Sequence, residues 1–201
     1  MADARAGRAR IAVLISGAGS NMAALIDAGC KPDAPFEIAV VISNRADAGG
    51  LAVAEAKGVP TAVVEHGPFG GDREAHERAV QTLLDPHAVE VVALAGYMRL
   101  LTPWLVRRWA GRMLNIHPSL LPKYPGLDTH ARALAAGDAE AGCSVHLVTE
   151  GLDDGPVLAQ ARVPVLPDDT PGSLAQRVLA AEHTLYPRVL ADFCRGAMKR
   201  S

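Results

Sequence analysis

What most restricts the fold is a rhythm in the first half of the chain, where short apolar runs alternate with stretches of helical spacing. Continuous apolar runs occur at Arg10–Ser16, Phe36–Ser43 and Val89–Ala95, with a shorter one at Thr61–Glu65. Runs without polar alternation belong to strands covered on both faces. Between them, Asn21–Gly29, Ala46–Lys57 and Asp72–Leu84 carry helical spacing; Gly58 and Pro60 stop the second, and Asp72 is placed to cap the third. Parallel strands joined by helices cross over right-handedly, which leaves few topologies. The reading is a mostly parallel sheet with helices on both faces.

The rhythm then changes. Pro103 opens a short helix, Met113–His117 is a further apolar strand, and Pro118 makes its continuation unlikely because proline has no N–H for a ladder. Asp128–Ala136 reads as a helix. Ser144–Thr149 and Val157–Val165 alternate, separated by the turn-rich Glu150–Pro156, which predicts an antiparallel extension. Thr170 and Pro171 open a long closing helix running to about Met198, with Leu174, Val178, Leu185, Val189 and Phe193 as its buried stripe. The class is a Rossmann-like α/β fold with an antiparallel C-terminal extension and a long C-terminal helix.

Composition narrows the function. The 201 residues carry 20 basic and 22 acidic side chains, a net charge of -2 that offers no excess of cations to nucleic acid. Cys30, Cys143 and Cys194 are far apart and odd in number, which argues against a disulfide framework or structural zinc and for a reducing, cytoplasmic setting. No apolar run approaches the roughly 20 residues that span a bilayer. The stretch Ala2–Arg10 has three arginines and no apolar segment after them, so a short disordered tail is expected rather than a secretory leader.

Chemistry gathers at Met113–Pro122. Asn115 and His117 are two apart, so on a strand both project to one side, at the carboxyl end where open α/β sheets bind ligands. A lone histidine there is more often structural, so its neighbours decide. Gly17-Ala-Gly-Ser-Asn21 lies between a strand and a helix, where free amides attract an anion. Met22 occupies the third glycine position of a dinucleotide fingerprint and no Gly-Lys-Ser/Thr follows, so a monophosphate fits better than a dinucleotide or ATP. Ser144-Val-His146 and Leu152-Asp-Asp-Gly155 add a histidine and two carboxylates near a turn; a carboxylate beside Asn115 and His117 would complete an acid–base group. His117, His130, His146 and Asp153 lack the tight spacing of a metal site, and no metal is expected. Tyr97, Trp104 and Trp109 read as core, while Met98–Leu101 could line a slot for a flat ring.

These strings resemble a known family. Asn115-Ile-His-Pro-Ser-Leu-Leu-Pro122 with Lys123-Tyr-Pro-Gly126, and later Gly142-Cys-Ser-Val-His146 with Leu152-Asp-Asp-Gly155, are similar to the formyltransferases that use 10-formyltetrahydrofolate, over nearly the whole chain from Ile11 to about Phe193. The resemblance implies one formyltransferase domain over 1–201, with a phosphate-binding half at about 10–110 and a catalytic and folate-binding half at about 111–201. It implies Asn115, His117 and Asp153 as catalytic residues, with Asp154 left open as the acting aspartate. Gly19, Ser20 and Asn21 would hold a ribose phosphate, and Glu182 would contact a glycinamide ribonucleotide substrate. Arg73, Met98, Arg99, Leu100, Leu101, Asn115, Thr149, Glu150, Gly151, Leu152 and Asp153 would hold the folate. The partners implied are small molecules, in a monomer or homodimer. Within the family, hydrolysis of the formyl donor and formylation of initiator methionyl-tRNA are the alternatives, and both usually accompany an additional domain; a non-catalytic sugar-phosphate or folate sensor is the alternative outside it.

Overall fold

The computed structural model describes residues 7–198. Strands β1 (Ala9–Ile15), β2 (Phe36–Ser43), β3 (Thr61–Val63), β4 (Val91–Leu94), β5 (Met113–His117), β6 (Glu140–Leu147) and β7 (Val157–Pro164) form one sheet in the order β3-β2-β1-β4-β5-β6-β7. The pairs from β3 to β5 are parallel; β5 with β6 and β6 with β7 are antiparallel. Helices α1 (Ser20–Gly29), α2 (Gly49–Ala56), α3 (Arg73–Leu84), α4 (Pro103–Arg108), α5 (Thr129–Ala135) and α6 (Pro171–Met198) surround it. The parallel sheet, the antiparallel extension and the long last helix are as the sequence indicates.

Strand β1 shows why the apolar runs are unbroken. Its odd residues Ile11, Val13 and Ile15 pack with Leu25 and Ile26 of α1 and with Leu174, Val178 and Leu185 of α6. Its even residues Ala12 and Leu14 pack with Val80 and Leu84 of α3 and Leu105 of α4. A strand with helices over both faces has no solvent side to make polar. β1 also lies between β2 and β4, so the direction of winding reverses there and a crevice opens at the carboxyl ends of β1 and β4.

Several boundaries differ from the sequence reading. Residues 2–6 of the expected tail lie outside the described residues, but Arg8 is anchored by its guanidinium to the carbonyls of Gly29, Lys31 and Pro32, and β1 begins at Ala9. The second helix starts at Gly49 rather than Ala46, and β3 ends at Val63. Strand β6 begins four residues early, at Glu140, because β7 supplies ladder partners back to Pro164 and Arg162 pairs with Glu140 at 2.9 Å. Asp128 does not cap α5; it adopts a left-handed φ of 57 and makes no side-chain cap bond. Asp72 does cap α3, accepting from the Ala75 amide at 2.9 Å, and Thr170 accepts from Ser173 N at 3.1 Å. Trp109 is core as expected, its indole N–H donating to Gln81 at 2.9 Å.

Helix α6 clamps the sheet where the site will be. The fully buried Tyr186 hydroxyl lies 3.1 Å from the carbonyls of both Leu94 and Leu114, on the adjacent strands β4 and β5. Tyr186→Phe leaves both carbonyls without that donor inside the core, which should lower stability by about 1–2 kcal/mol. The melting temperature should fall by about 2–4 °C per kcal/mol, measured by calorimetry.

Candidate active site

Strand β5 ends with Asn115 and His117 on one face, as the two-residue spacing requires. Pairing with β6 then sets Asn115 opposite His146 and His117 opposite Ser144. A turn before β7 brings Asp153 over this pair, its backbone in a left-handed φ of 52 that aspartate tolerates better than most residues.

The carboxylate of Asp153 is the meeting point. Its Oδ2 accepts from Gly126 N at 2.9 Å and lies 3.3 Å from His117 Nδ1. Its Oδ1 lies 3.5 Å from Asn115 Nδ2 and 3.6 Å from His146 Nε2, the latter a charge contact longer than a hydrogen bond. The side chains of His117, His146 and Asp153 keep 7%, 3% and 10% of their exposure, so these interactions act in a partly dried crevice. Burial raises the Asp153 carboxyl, but contact with His146, the Gly126 amide and the charge of His117 together outweigh it, and the group titrates below its ordinary value. His117 donates through Nε2 to the Tyr124 carbonyl at 2.9 Å, so with Nδ1 beside a carboxylate both ring nitrogens face acceptors. That arrangement is matched by the doubly protonated ring. His146 Nδ1 faces its neighbour Leu147 O at 3.0 Å, which leaves Nε2 to meet Asn115 Nδ2 at 3.2 Å.

Asp154, the adjacent aspartate, is turned elsewhere. It accepts from the Thr149 hydroxyl, and its carboxyl fills the space a side chain at Gly151 would need. Glu150 is paired with Arg107 at 2.7 Å. Leu152 is exposed and lies near Gly126, and Met98 and Leu100 are exposed apolar side chains of the segment after β4. Arg73 reaches from α3 to the Leu100 carbonyl at 3.4 Å. One turn further along α3, the buried Glu77 accepts from Thr102 N at 2.7 Å and fixes the end of the same segment. Arg99 is half-buried.

The glycine turn after β1 lies two strands from Asn115, about 10 Å across the sheet. Gly19, with φ 73, sits where a Cβ would meet Gly50 Cα at 2.9 Å, and Gly50 N donates to Gly17 O at 3.0 Å. The first amides of α1, beginning at Ser20, have no partner inside the helix and no side chain caps them. Asn21 donates to Glu182 of α6 at 2.6 Å, while its Oδ1 is buried and finds no partner among the described residues. Burial raises the Glu182 carboxyl, and the Asn21 bond offsets only part of that. Ser16 ties this turn to the segment after β4, accepting from Met98 N at 2.8 Å.

A cleft of about 620 Å³ between α1 and α6 opens near Phe36, at the opposite end of the sheet, and contains none of these groups. Among the described residues, no set of three His, Cys, Asp or Glu side chains is arranged to hold a metal.

A model of the formyl transferase family matches residues 9–190. The chain belongs to that family. It is 50% identical over 190 residues to phosphoribosylglycinamide formyltransferase of Escherichia coli K12, covering 94% of this chain and 89% of that protein. It is 48% identical over 195 residues to the trifunctional purine biosynthetic protein adenosine-3 of Drosophila pseudoobscura pseudoobscura, covering 96% of this chain but 14% of that much longer protein. The crystal structure of phosphoribosylglycinamide formyltransferase from Brucella melitensis superposes with a TM-score of 0.89 at 55% identity, covering 93% of this chain and 96% of that one.

The sequence reading named the trio and the glycine turn but gave His146 no role in the site. Its position opposite Asn115 depends on the β5–β6 register, which spacing alone does not reveal. The Tyr124 carbonyl and Gly126 amide are backbone groups with no residue type to announce them.

Asp153→Asn should destabilise the protein by about 1–3 kcal/mol at neutral pH by removing the ionised acceptor. Because the folded-state value is depressed, the wild-type advantage is complete above the ordinary carboxylate range and is lost as pH falls through the lower folded value. Urea denaturation of both proteins should show the gap closing as pH falls below the ordinary carboxylate range.

Proposed function

We propose that the protein transfers the formyl group of 10-formyltetrahydrofolate to the primary amine of glycinamide ribonucleotide, giving formylglycinamide ribonucleotide and tetrahydrofolate. The observation that carries this reading is the convergence of an amide, an imidazole and a carboxylate at the end of β5, each of the first two within 3.5 Å of Asp153. Its relatives in Escherichia coli and Brucella melitensis, named for this activity, match it over most of their lengths.

The amine is itself the nucleophile, so the protein's task is to hold it in line and to stabilise the oxygen that gains charge. Bound formyl-folate supplies the electrophilic carbon. Asn115 offers an amide donor, and His117 offers positive charge close to where the oxyanion forms. One such donor is worth about 3 kcal/mol in comparable sites. Asp153, 3.3 Å from His117 Nδ1, orients the ring. A carboxylate held below its ordinary range keeps a captured proton poorly, so the electrostatic role fits its environment better than that of a lasting base; as the bond between the formyl carbon and the folate nitrogen breaks, the proton lost by the amine passes through water to that nitrogen and tetrahydrofolate leaves.

The amides of Gly19, Ser20 and Asn21 receive the phosphate in this reading, at a helix N-terminus suited to anions. About 10 Å from there to Asn115 is a reasonable reach for a ribose with a short amide arm. Glu182 and the unpartnered Asn21 Oδ1 offer acceptors to that arm. The exposed Met98, Leu100 and Leu152 and the half-buried Leu101 offer apolar surface to a flat ring, the Arg73 and Arg99 guanidiniums suit the acidic tail, and Thr149 to Asp153 are assigned to the folate by the family resemblance. The phosphate turn thus falls to the half at about 10–110 and the reacting groups to the half at about 111–201.

The deciding assay follows consumption of 10-formyltetrahydrofolate with and without glycinamide ribonucleotide. Consumption should require the ribonucleotide; equal consumption in water alone would make the protein a hydrolase, and methionyl-tRNA should not substitute. Asn115→Ala and His117→Ala should each reduce turnover by about 10²–10³, and a His117→Ala protein working at the wild-type rate would reject the assignment.

Glu182→Gln keeps an acceptor for Asn21 and should raise KM for the ribonucleotide. Since burial raises the Glu182 carboxyl, wild-type stability declines as pH rises from its ordinary value, about 4.3, through the folded value. The variant should therefore gain stability relative to wild type as pH rises above the ordinary glutamate value, read by urea denaturation.

A further inference from the structure

One residue outside the reacting group is bonded into the segment that holds it. Gln160 lies on β7, at the end of the sheet order, three positions along from Val157, the residue that pairs with His146. The register places His117 opposite Ser144 and Ser144 opposite Gln160, a single row across three strands with side chains on one face. The two amide protons of Gln160 are both used: Nε2 donates to the Leu121 carbonyl at 2.8 Å and to Ser144 Oγ at 2.9 Å. Ser144, fully buried, donates its own proton to the Ser119 carbonyl at 2.7 Å and accepts from Leu121 N at 3.0 Å. Its hydrogen-bonding capacity is then full.

These bonds fix residues 119 and 121 of a segment that turns back toward its own start. Inside it, the Ser119 hydroxyl reaches the Lys123 carbonyl at 2.6 Å and the Tyr124 carbonyl at 3.3 Å. The segment then presents two backbone groups to the site: Tyr124 O accepts from His117 Nε2, and Gly126 N donates to Asp153 Oδ2, each at 2.9 Å. A crevice of about 430 Å³ lies behind it, lined by residues 118–124, His130 and Gln160, so packing alone does not hold this side of the segment.

We propose that Gln160 is a positioning residue for formyl transfer, fixing through Ser144 and the 119–124 main chain the carbonyl and the amide that orient His117 and Asp153. The kinetic part of this inference rests on the function proposed above; the geometric part does not.

Gln160→Met keeps the side chain's length and removes both donors. Turnover should fall between about tenfold and a hundredfold, as a displaced catalytic group predicts, with KM for both substrates within about twofold of wild type. By proton NMR, the downfield His117 Nε2–H resonance, assigned by its loss in His117→Ala, should broaden or disappear in Gln160→Met. Ser119→Ala, which frees the same segment from within, should do the same, and the two changes together should reduce turnover by less than the product of their separate effects. An unaltered His117 resonance in Gln160→Met overturns the proposal, as does a rise in KM at constant turnover. Should Gln160→Met not fold, the proposal stands or falls on whether Ser119→Ala loses the resonance. If the wild-type chain does not transfer formyl groups, the NMR comparison still decides the positioning role.

Discussion

Asp153 has to stay ionised in a crevice where its side chain keeps 10% of its exposure, and the elements around it are arranged to make that possible. A buried carboxylate without donors would take up a proton. Here four separate segments converge: β5 supplies Asn115 and His117, β6 supplies His146, the segment after β5 supplies the Gly126 amide, and a left-handed turn delivers the acid itself. A left-handed aspartate is strained by about 1 kcal/mol or more, which the surrounding contacts must offset. The acid and its donors therefore hold one another in place, and none of the four segments could shift without leaving a charge unmatched.

The reversal of strand direction after β5 is what makes those four sources available. A parallel neighbour would have needed a crossover helix to return, carrying the chain away from the carboxyl edge. An antiparallel β6 instead runs back from that edge and pairs residue for residue with Asn115 and His117. On the other side of β4, the parallel half keeps its glycine turn at the same edge, with Gly19 and Gly50 in such close approach that neither has room for a side chain. Two kinds of sheet thus serve one crevice.

Much of this was legible in the residues. Unbroken apolar strands declared a sheet covered on both faces, and the Asn115–His117 spacing placed two polar groups together. Asp72 and Thr170 cap their helices as their positions suggest. The failures have a common cause. Strand β6 was read too short because Glu140 to Cys143 show no alternation of their own and are strand by virtue of pairing with β7. His146 went unassigned because a register is a property of two segments, not one. Asp128 was read as the first residue of a helix, yet the chain's path there demands a left-handed turn, which the local sequence does not specify, and the helix starts at Thr129.

Helix α6 shows how tightly length is specified. Glu182 and Tyr186 are one turn apart, so the same stripe offers a carboxylate to Asn21 and a hydroxyl to the carbonyls of β4 and β5. An inserted or deleted residue upstream of Glu182 would swing everything beyond it by about 100° relative to the capped start. Either the stripe from Leu174 or the pair that follows would then face the wrong way. Indels in this stretch should be purged in evolution, and variation in length confined to the turn before Thr170 or to the end beyond Cys194, whose buried side chain is the last of the described residues to pack against the core.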